Sequence, residues 1–249
     1  RPALIGFASN EVAGACVSEI IKAGVLPVAI EFMDRRVLEV VEKHAKAGYP
    51  ECEALLIIEV EGSEAEIDMQ LGLIRQIAAT HHPVDFRESK SEEESAAIWL
   101  GRKSAFGAMG QINDYMCLDG TIPVSELSYV LKRIGELSDQ YGLGVGNVFH
   151  AGDGNMHPLI LFDANKEGDL DLCEAMGAEI LKLCVEVGGC LTGEHGVGVE
   201  KRDLMYAQFD PIDMEAQLRV KDVFDPSWLL NPSKVFPLNV TETRRSARY

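Results

Sequence analysis

The stretch GNVFHAGDGNMHPLILF, residues 146–162, contains the pattern that decides the fold. Its two apolar runs, Gly146–His150 and His157–Phe162, flank a turn rich in glycine, which predicts two strands joined as a β-hairpin. The strands of a hairpin are antiparallel, whereas parallel neighbours need a long crossover connection. The stretch therefore favours an antiparallel sheet.

Outside the hairpin, short apolar runs alternate with helical patterns along the whole chain. The predicted strands are 3–8, 27–32, 54–60, 84–87 and 115–119, and the predicted helices are 11–23, 35–47, 64–80, 92–109, 124–141, 169–188 and 211–231. A parallel Rossmann sheet fits less well, because no G-x-G-x-x-G fingerprint lies between a strand and a helix. We predict an α+β fold in which ferredoxin-like β-α-β repeats share one large, mostly antiparallel sheet, with a helical C-terminal segment. The expected domain covers residues 1–240, followed by a loose polar tail over 241–249.

The composition of the chain argues against several classes of function. The 249 residues include 40 acidic and 23 basic side chains, a net charge of -17, which argues against nucleic-acid binding and against an anionic membrane surface. No apolar run reaches the ~18 residues of a membrane span. Six cysteines without a C-x-x-C pair argue against an iron–sulfur cluster or a thiolate zinc site in this chain. Free thiols fit a reducing compartment, the cytoplasm.

Two histidines frame the turn of the predicted hairpin. Antiparallel strands place His150 and His157 roughly opposite each other, so their rings can converge on one metal ion. The alternative is a plain turn in which Asp153 and Asn155 bond their own backbone and the histidines are incidental.

A second candidate site lies in LTGEHGVG, residues 191–198. Glu194 as a third ligand would complete a His/His/Glu set with an open position, which is typical of catalytic metal sites. His195 would then be free to act as a base, because imidazole titrates near neutral pH. An exposed charged loop is the alternative interpretation.

Two further residues are candidates on weaker local grounds. Arg102, in WLGRK (99–103), carries a guanidinium that binds carboxylates in bidentate fashion, although a solvated helix arginine is the default. Asn231 lies in LLNPSK (229–234), where the local pattern indicates only a turn.

Together these motifs resemble the C-terminal domain of FAD-linked oxidases of the vanillyl-alcohol oxidase type, including the flavin subunits of bacterial glycolate oxidases. The similarity covers residues 1–237 and is specific because several motifs combine at fixed spacings. The matching segments are IWLGRKSAF (98–106), DGTIP (119–123), NVFHAGDGNMHPLILFDAN (147–165), CVEVGG (184–189), GEHGVG (193–198) and FDPSWLLNPSK (224–234).

The resemblance implies that this domain caps a flavin bound mainly by an N-terminal FAD-binding domain that the chain lacks, so that the chain alone is inactive. Ser233 stands where glycine is usual in the family, a small departure. The site residues implied are His150, His157 and Glu194 for a divalent metal (zinc, manganese or iron), His195 as the base, Arg102 for the substrate carboxylate and Asn231 beside the flavin.

The resemblance also implies a substrate and partners. Relatives that act on dicarboxylates carry a basic residue in the strand before the DGTIP turn, and Tyr115–Leu118 has none, so we expect a small 2-hydroxy monocarboxylate such as glycolate or lactate. A separate iron–sulfur subunit, a possible homodimer and a membrane association through partner subunits are further expectations. The alternatives are a module that docks or dimerises a complex without catalysis, and a metal-dependent hydrolase.

Overall fold

One large antiparallel sheet organises the molecule. The computed structural model describes residues 1–246. The strands in this part are β1 (Pro2–Phe7), β2 (Ala29–Asp34), β3 (Ala54–Glu59), β4 (Asp85–Glu88), β5 (Asp114–Cys117), β6 (Gly120–Thr121), β7 (Val145–His150), β8 (Asn155–Met156) and β9 (Pro158–Phe162). The sheet order is β4-β1-β3-β2-β7-β8-β6, and β9 pairs with β5 and β7. All strand pairs among the described residues are antiparallel, which confirms the predicted sheet and excludes the Rossmann alternative.

Helices connect and cover the strands, close to the predicted bounds. They are α1 (Asn10–Lys22), α2 (Arg35–Ala45), α3 (Glu64–Thr80), α4 (Glu92–Met109), α5 (Leu127–Tyr141), α6 (Asp169–Glu186), α7 (Met205–Gln208), α8 (Pro211–Phe224) and α9 (Leu238–Ser246). The start of α3 is readable from the sequence because Ser63 and Glu66 form a reciprocal capping box. None of the helices in the described part is both long and apolar enough to cross a bilayer.

The sheet is buried on both faces. Side chains alternate along each strand, so one face presents Phe32 and Phe149, whose rings stack at 4.7 Å, to α1, α3, α5 and α6. The other face presents Met33 and Val148 to α2 and α4. Because both faces are covered, strands such as β3 read as continuous apolar runs.

The predicted hairpin forms, but its register differs from the prediction. Asn155, and not His157, pairs with His150 across the turn, because the left-handed Gly154 (φ +67°) ends a short 3-10 turn at Asp153 and brings the chain back early. The rings of His150 and His157 nevertheless come close, with centroids 5.5 Å apart.

The C-terminal region departs most from the prediction. Helix α8 ends at Phe224 instead of 231, because Asp225 precedes a proline and its carboxylate accepts the amides of Leu229 and Leu230. The following loop contains Ser233 at φ +63°, a conformation that favours the glycine usual in this position.

A separate apolar cluster holds the C-terminal helices together. Its buried members are Met205, Met214, Leu218, Trp228 and Phe236. Residues 241–246 continue α9, so the expected loose tail is wrong for them: Arg244 bonds Asp222 at 2.8 Å and also pairs with Glu215. Residues 247–249 of that predicted tail lie outside the described residues.

Candidate functional site

His157 lies at the centre of the candidate site and is only 2% exposed. Its Nδ1 bonds the Leu118 carbonyl at 3.1 Å, which assigns the proton to Nδ1 and leaves a lone pair on Nε2. Nε2 lies 3.2 Å from Glu194 Oε1 without the angles of a hydrogen bond, so this buried nitrogen has no hydrogen-bond partner within the described residues. Burial lowers the pKa of His157, which favours the neutral ring that binds metals.

Four side chains converge around that nitrogen. Asp119, His157, Glu194 and His195 each offer one ligand atom, and these atoms all lie within 4.8 Å of one another. The His195 ring stacks on His157 with centroids 5.1 Å apart. The structure thus brings together three of the predicted site residues, His157, Glu194 and His195.

Cys117 also borders this cluster, at the end of β5. Its Sγ is 3.9 Å from His157 Nδ1, and burial raises the pKa of the thiol to about 11. Cys117 was not among the predicted site residues, because its segment, Tyr115–Leu118, was considered only for its lack of a basic side chain.

His150 stands apart from the four converging side chains. Its Nδ1 lies 2.8 Å from Glu31 Oε1, and Glu31 is its register partner across the β2–β7 pair. The hydrogen bond that Glu31 accepts from the ring raises the pKa of His150. Burial opposes ionisation of Glu31, but the bond with His150 and the charge of Arg102 outweigh it, and the pKa of Glu31 falls below its usual value.

Arg102 is buried on the inner side of α4 and is not a solvated helix arginine, since only 8% of it is exposed. Its Nε and Nη2 both lie 2.9 Å from Glu31 Oε2. Glu31 therefore bridges the predicted carboxylate-binding arginine and a predicted metal-ligand histidine.

Tyr49 reaches into α4 beside Arg102. Its hydroxyl donates to the Ile98 carbonyl and accepts the Arg102 amide at 3.0 Å. It therefore bonds two backbone groups of α4 that lie one helical turn apart. This close approach is possible because Gly101 has no side chain: a Cβ at that position would lie 2.4 Å from the Tyr49 hydroxyl oxygen.

We expect Gly101→Ala to lower the free energy of unfolding by about 1–3 kcal/mol through overpacking, although alanine is the better helix former. Gly107→Ala is the matched control, because a Cβ at this position of the same helix meets nothing within 4 Å. The control should stabilise the protein by about 0.4–1 kcal/mol. Urea unfolding followed by circular dichroism gives both values, and equal effects of the two changes would contradict the close fit at Tyr49.

Asp119 holds the loop that carries Glu194 and His195. Its side chain is fully buried, and Oδ2 accepts the Thr192 hydroxyl at 2.6 Å and the His195 amide at 3.0 Å. The other contacts come from the Gly193 amide (3.1 Å) and Lys201 Nζ (3.0 Å) to Oδ2 and from the Glu194 amide (3.0 Å) to Oδ1. The DGTIP segment is recognisable in the sequence, but this role of Asp119 is not, because it depends on contacts about 75 residues away.

Ionisation of Asp119 is strongly favoured in this setting. Burial opposes the charge, but the Thr192 hydroxyl, the backbone amides and the Lys201 ammonium together hold the pKa of Asp119 well below its usual range. Since both oxygens are already occupied, Asp119 supports the site and is a poor candidate for a metal ligand.

The family model of FAD linked oxidases, C-terminal domain, matches residues 1–235. The chain belongs to this family. It is 46% identical to the glycolate oxidase subunit GlcD of Escherichia coli (strain K12) over 239 residues, which cover 95% of the chain and 48% of that protein. The D-lactate dehydrogenase of Archaeoglobus fulgidus is 32% identical over 241 residues, covering 93% of the chain and 50% of that protein.

Solved structures support the fold of this FAD-linked oxidase domain. A 4-ethylphenol oxidase from Gulosibacter chungangensis superposes with a TM-score of 0.69 at 15% identity, covering 96% of the chain and 54% of that protein. A p-cresol methylhydroxylase matches with the same TM-score at 13% identity, covering 96% and 53%. The chain spans about half the length of the curated relatives it matches.

The residues of the FAD-linked oxidase domain fit a divalent metal. The unbonded, buried Nε2 of His157, the adjacent Glu194 carboxylate and the His195 imidazole form a nitrogen and oxygen donor set, and the ring of His150 lies 5.5 Å from that of His157. Such a set accepts zinc, manganese or iron.

Asn231 lies away from this donor set, in the loop after α8. It is exposed, its backbone φ is +45°, and Lys234 Nζ is 3.4 Å from its Oδ1. The loop is tied to the end of the GEHGVG segment by the Val235 amide, which donates to the Gly198 carbonyl at 2.7 Å. A role of Asn231 at the flavin stays a prediction.

Proposed function

We propose that this chain is the cap and substrate domain of a flavin-dependent 2-hydroxy-acid oxidoreductase that oxidises glycolate, or lactate, to the 2-oxo acid. The similarity to glycolate oxidase subunits and D-lactate dehydrogenases supports the reaction class. The observation that carries the proposal is the convergence of His157, Glu194 and His195 on one point. In this proposal the domain of residues 1–240 works with an N-terminal FAD-binding domain.

Arg102 receives the substrate carboxylate. Glu31 engages Nε and Nη2, while Nη1 has no hydrogen-bond partner within the described residues and stays available for a carboxylate oxygen. The helix and Glu31 hold the guanidinium in place before the substrate arrives, which lowers the entropic cost of binding.

His195 takes the proton of the α-hydroxyl at Nε2. Its side chain is 46% exposed, so a substrate can reach the ring. His150, His157 and Glu194 would hold a divalent metal. When bound, the metal would lower the pKa of the hydroxyl as a Lewis acid and FAD would accept the α-hydrogen as hydride.

Metal content gives the direct test of the ligand set. We expect the purified chain to contain about one divalent ion per chain, and the His157→Ala variant to lose it because the buried ligand is gone. His44→Ala, a change at an exposed position of α2, is the control that should keep the ion. Elemental analysis checks all three proteins, and a His157→Ala variant that retains the ion at the level of the control would contradict the proposed site.

The same relatives and the cysteines support a proposal for the partners and the location of the protein. All six cysteines are free thiols without a cluster motif, so we propose that electrons pass to a separate iron–sulfur subunit. The similarity to a protein that is named as a subunit of glycolate oxidase supports this proposal. We place the protein in the cytoplasm, with membrane contact only through partner subunits.

A second candidate function is an assembly module that docks a partner without catalysis. Exposed apolar side chains near the end of α8 favour it, since Val223, Phe224 and Leu230 are 75%, 81% and 61% exposed. A chain that assembles a complex but binds no divalent metal would support this alternative over the catalytic proposal.

A further inference from the structure

Glu31 is a charged residue in the interior of strand β2, whose other charged residue, Asp34, ends the strand and caps α2. Strand β2 reads AIEFMD, and Glu31 is only 6% exposed. Burying a carboxylate is costly unless it is paired and hydrogen-bonded. Nothing in the apolar cores that flank β2 requires a charge at this position, so its partners indicate what it does.

Both carboxylate oxygens of Glu31 are engaged, each by a different element. Oε1 lies 2.8 Å from His150 Nδ1 on β7, and Oε2 lies 2.9 Å from Arg102 Nε and Nη2 on α4. The cross-strand register fixes the first contact, because Glu31 and His150 are direct partners. One side chain thus links the strand at the hairpin to the helix over it.

The contact with His150 has a chemical consequence for that ring. A carboxylate accepts only, so His150 donates its proton from Nδ1 and keeps a lone pair on Nε2. His157 shows the same arrangement with the Leu118 carbonyl. Two neighbouring imidazoles, 5.5 Å apart, are therefore both held in the tautomer that leaves a lone pair on Nε2.

The contact with Arg102 fixes the guanidinium in a defined direction. Two of its nitrogens face Glu31, and the helix backbone at Arg102 is itself held by Tyr49. An arginine restrained at both ends presents its remaining N–H groups in one orientation.

We propose that Glu31 is a positioning residue that orients Arg102 and His150 together, so that the substrate-binding cation and the metal-ligand imidazole are set by one carboxylate. The inference rests on the proposed function for the roles of Arg102 and His150. The two contacts of Glu31 do not depend on it.

The test uses Glu31→Gln, which keeps the shape but replaces one acceptor oxygen with a donor amide. We expect zinc affinity, measured by competition with a chromophoric chelator, to fall about 10–100-fold, as when an outer-shell partner is removed. Glu39→Gln is the matched control, because it removes a surface pair with Arg35 (2.9 Å) of the same chemistry. This control should leave zinc affinity unchanged.

A second readout follows the tautomer itself and needs no metal. In protein labelled with ¹⁵N-histidine, His150→Ala identifies the His150 signals, and the wild-type ring should show a proton on Nδ1. Glu31→Gln should shift the ring toward the other tautomer. If the neutral amide of this variant, placed beside the buried Arg102, prevents folding, Glu31→Gln combined with Arg102→Met removes both charges and tests the same histidine.

The outcomes separate the two proposals. A wild-type His150 that carries its proton on Nε2, or a ring tautomer and zinc affinity that stay unchanged in Glu31→Gln, would overturn the positioning role. A tautomer shift in a chain that binds no zinc would support positioning and overturn the proposed metal site. A Glu31→Gln variant that loses both the Nδ1 tautomer of His150 and zinc affinity would support both the positioning role and the proposed metal site.

Discussion

Asp119→Ala is expected to lower the free energy of unfolding by about 3–5 kcal/mol, the usual cost of leaving one member of a buried ion pair alone. The change strands Lys201, which is 4% exposed, and removes the acceptor of the Thr192 hydroxyl and of three backbone amides. Urea unfolding at pH 7 measures the loss.

Two further variants test the cause of this loss. Asp68→Ala removes an exposed acid that pairs with Arg1 at 2.8 Å, and it should change stability by less than about 0.5 kcal/mol. Combining Asp119→Ala with Lys201→Met removes both buried charges and should recover part of the loss. If the Asp119→Ala variant were no less stable than Asp68→Ala, the loop would not depend on Asp119.

The pH dependence of the Asp119 contribution has a definite sign. Its pKa is lowered in the folded chain, so the stabilisation is fully present above the ordinary carboxyl pKa and is lost as the pH falls through the folded value. Wild type should therefore lose stability relative to Asp119→Ala only in strong acid.

His195→Ala, in a protein that joins this domain to its FAD-binding half, is expected to slow flavin reduction by a 2-hydroxy acid about 10²–10⁴-fold, the usual contribution of a general base. Its imidazole is positioned by the backbone of the loop, since the His195 amide bonds Asp119 at 3.0 Å. Stopped-flow absorbance of the flavin measures the rate.

The control for this prediction is the same histidine-to-alanine change at a position away from the site. His44→Ala changes an exposed histidine on α2 and should leave the rate unchanged. Metal content should stay at the wild-type level in His195→Ala if His150, His157 and Glu194 suffice as ligands. Undiminished flavin reduction in His195→Ala would remove this residue from the role of base.

The local parts of the fold were predictable because their determinants lie close together in the sequence. The capping box at Ser63 marks the start of α3, and the apolar run of β3 shows a strand covered on both sides. The hairpin was predicted as a hairpin, but its register was not, because the 3-10 turn at Asp153 has no strong signature in a glycine-rich segment. The end of α8 was missed because Asp225 acts through side-chain bonds.

The residues that support the site were the least predictable. Glu31 and His150 are 119 positions apart and meet only because β2 pairs with β7. The charge of Glu31 in the interior of the mostly apolar strand AIEFMD was a signal available in the sequence. Tyr49 offered none, because its contact with α4 depends on how α4 packs over the segment that follows α2.

The contacts of Asp119 with its loop determine which side chains of the loop can be replaced while the loop keeps its conformation. Three of its contacts are to the main-chain amides of Gly193, Glu194 and His195, which nearly every amino acid supplies. The side chains at 194 and 195, which we propose as metal ligand and base, can therefore be exchanged without loss of these backbone contacts. Position 193 is the exception, because a Cβ there would lie 2.6 Å from Asn155 Oδ1. A library randomised at 194 and 195 alone should yield mostly folded proteins with altered chemistry, which makes this loop a natural place for evolution, or an engineer, to exchange one reaction for another.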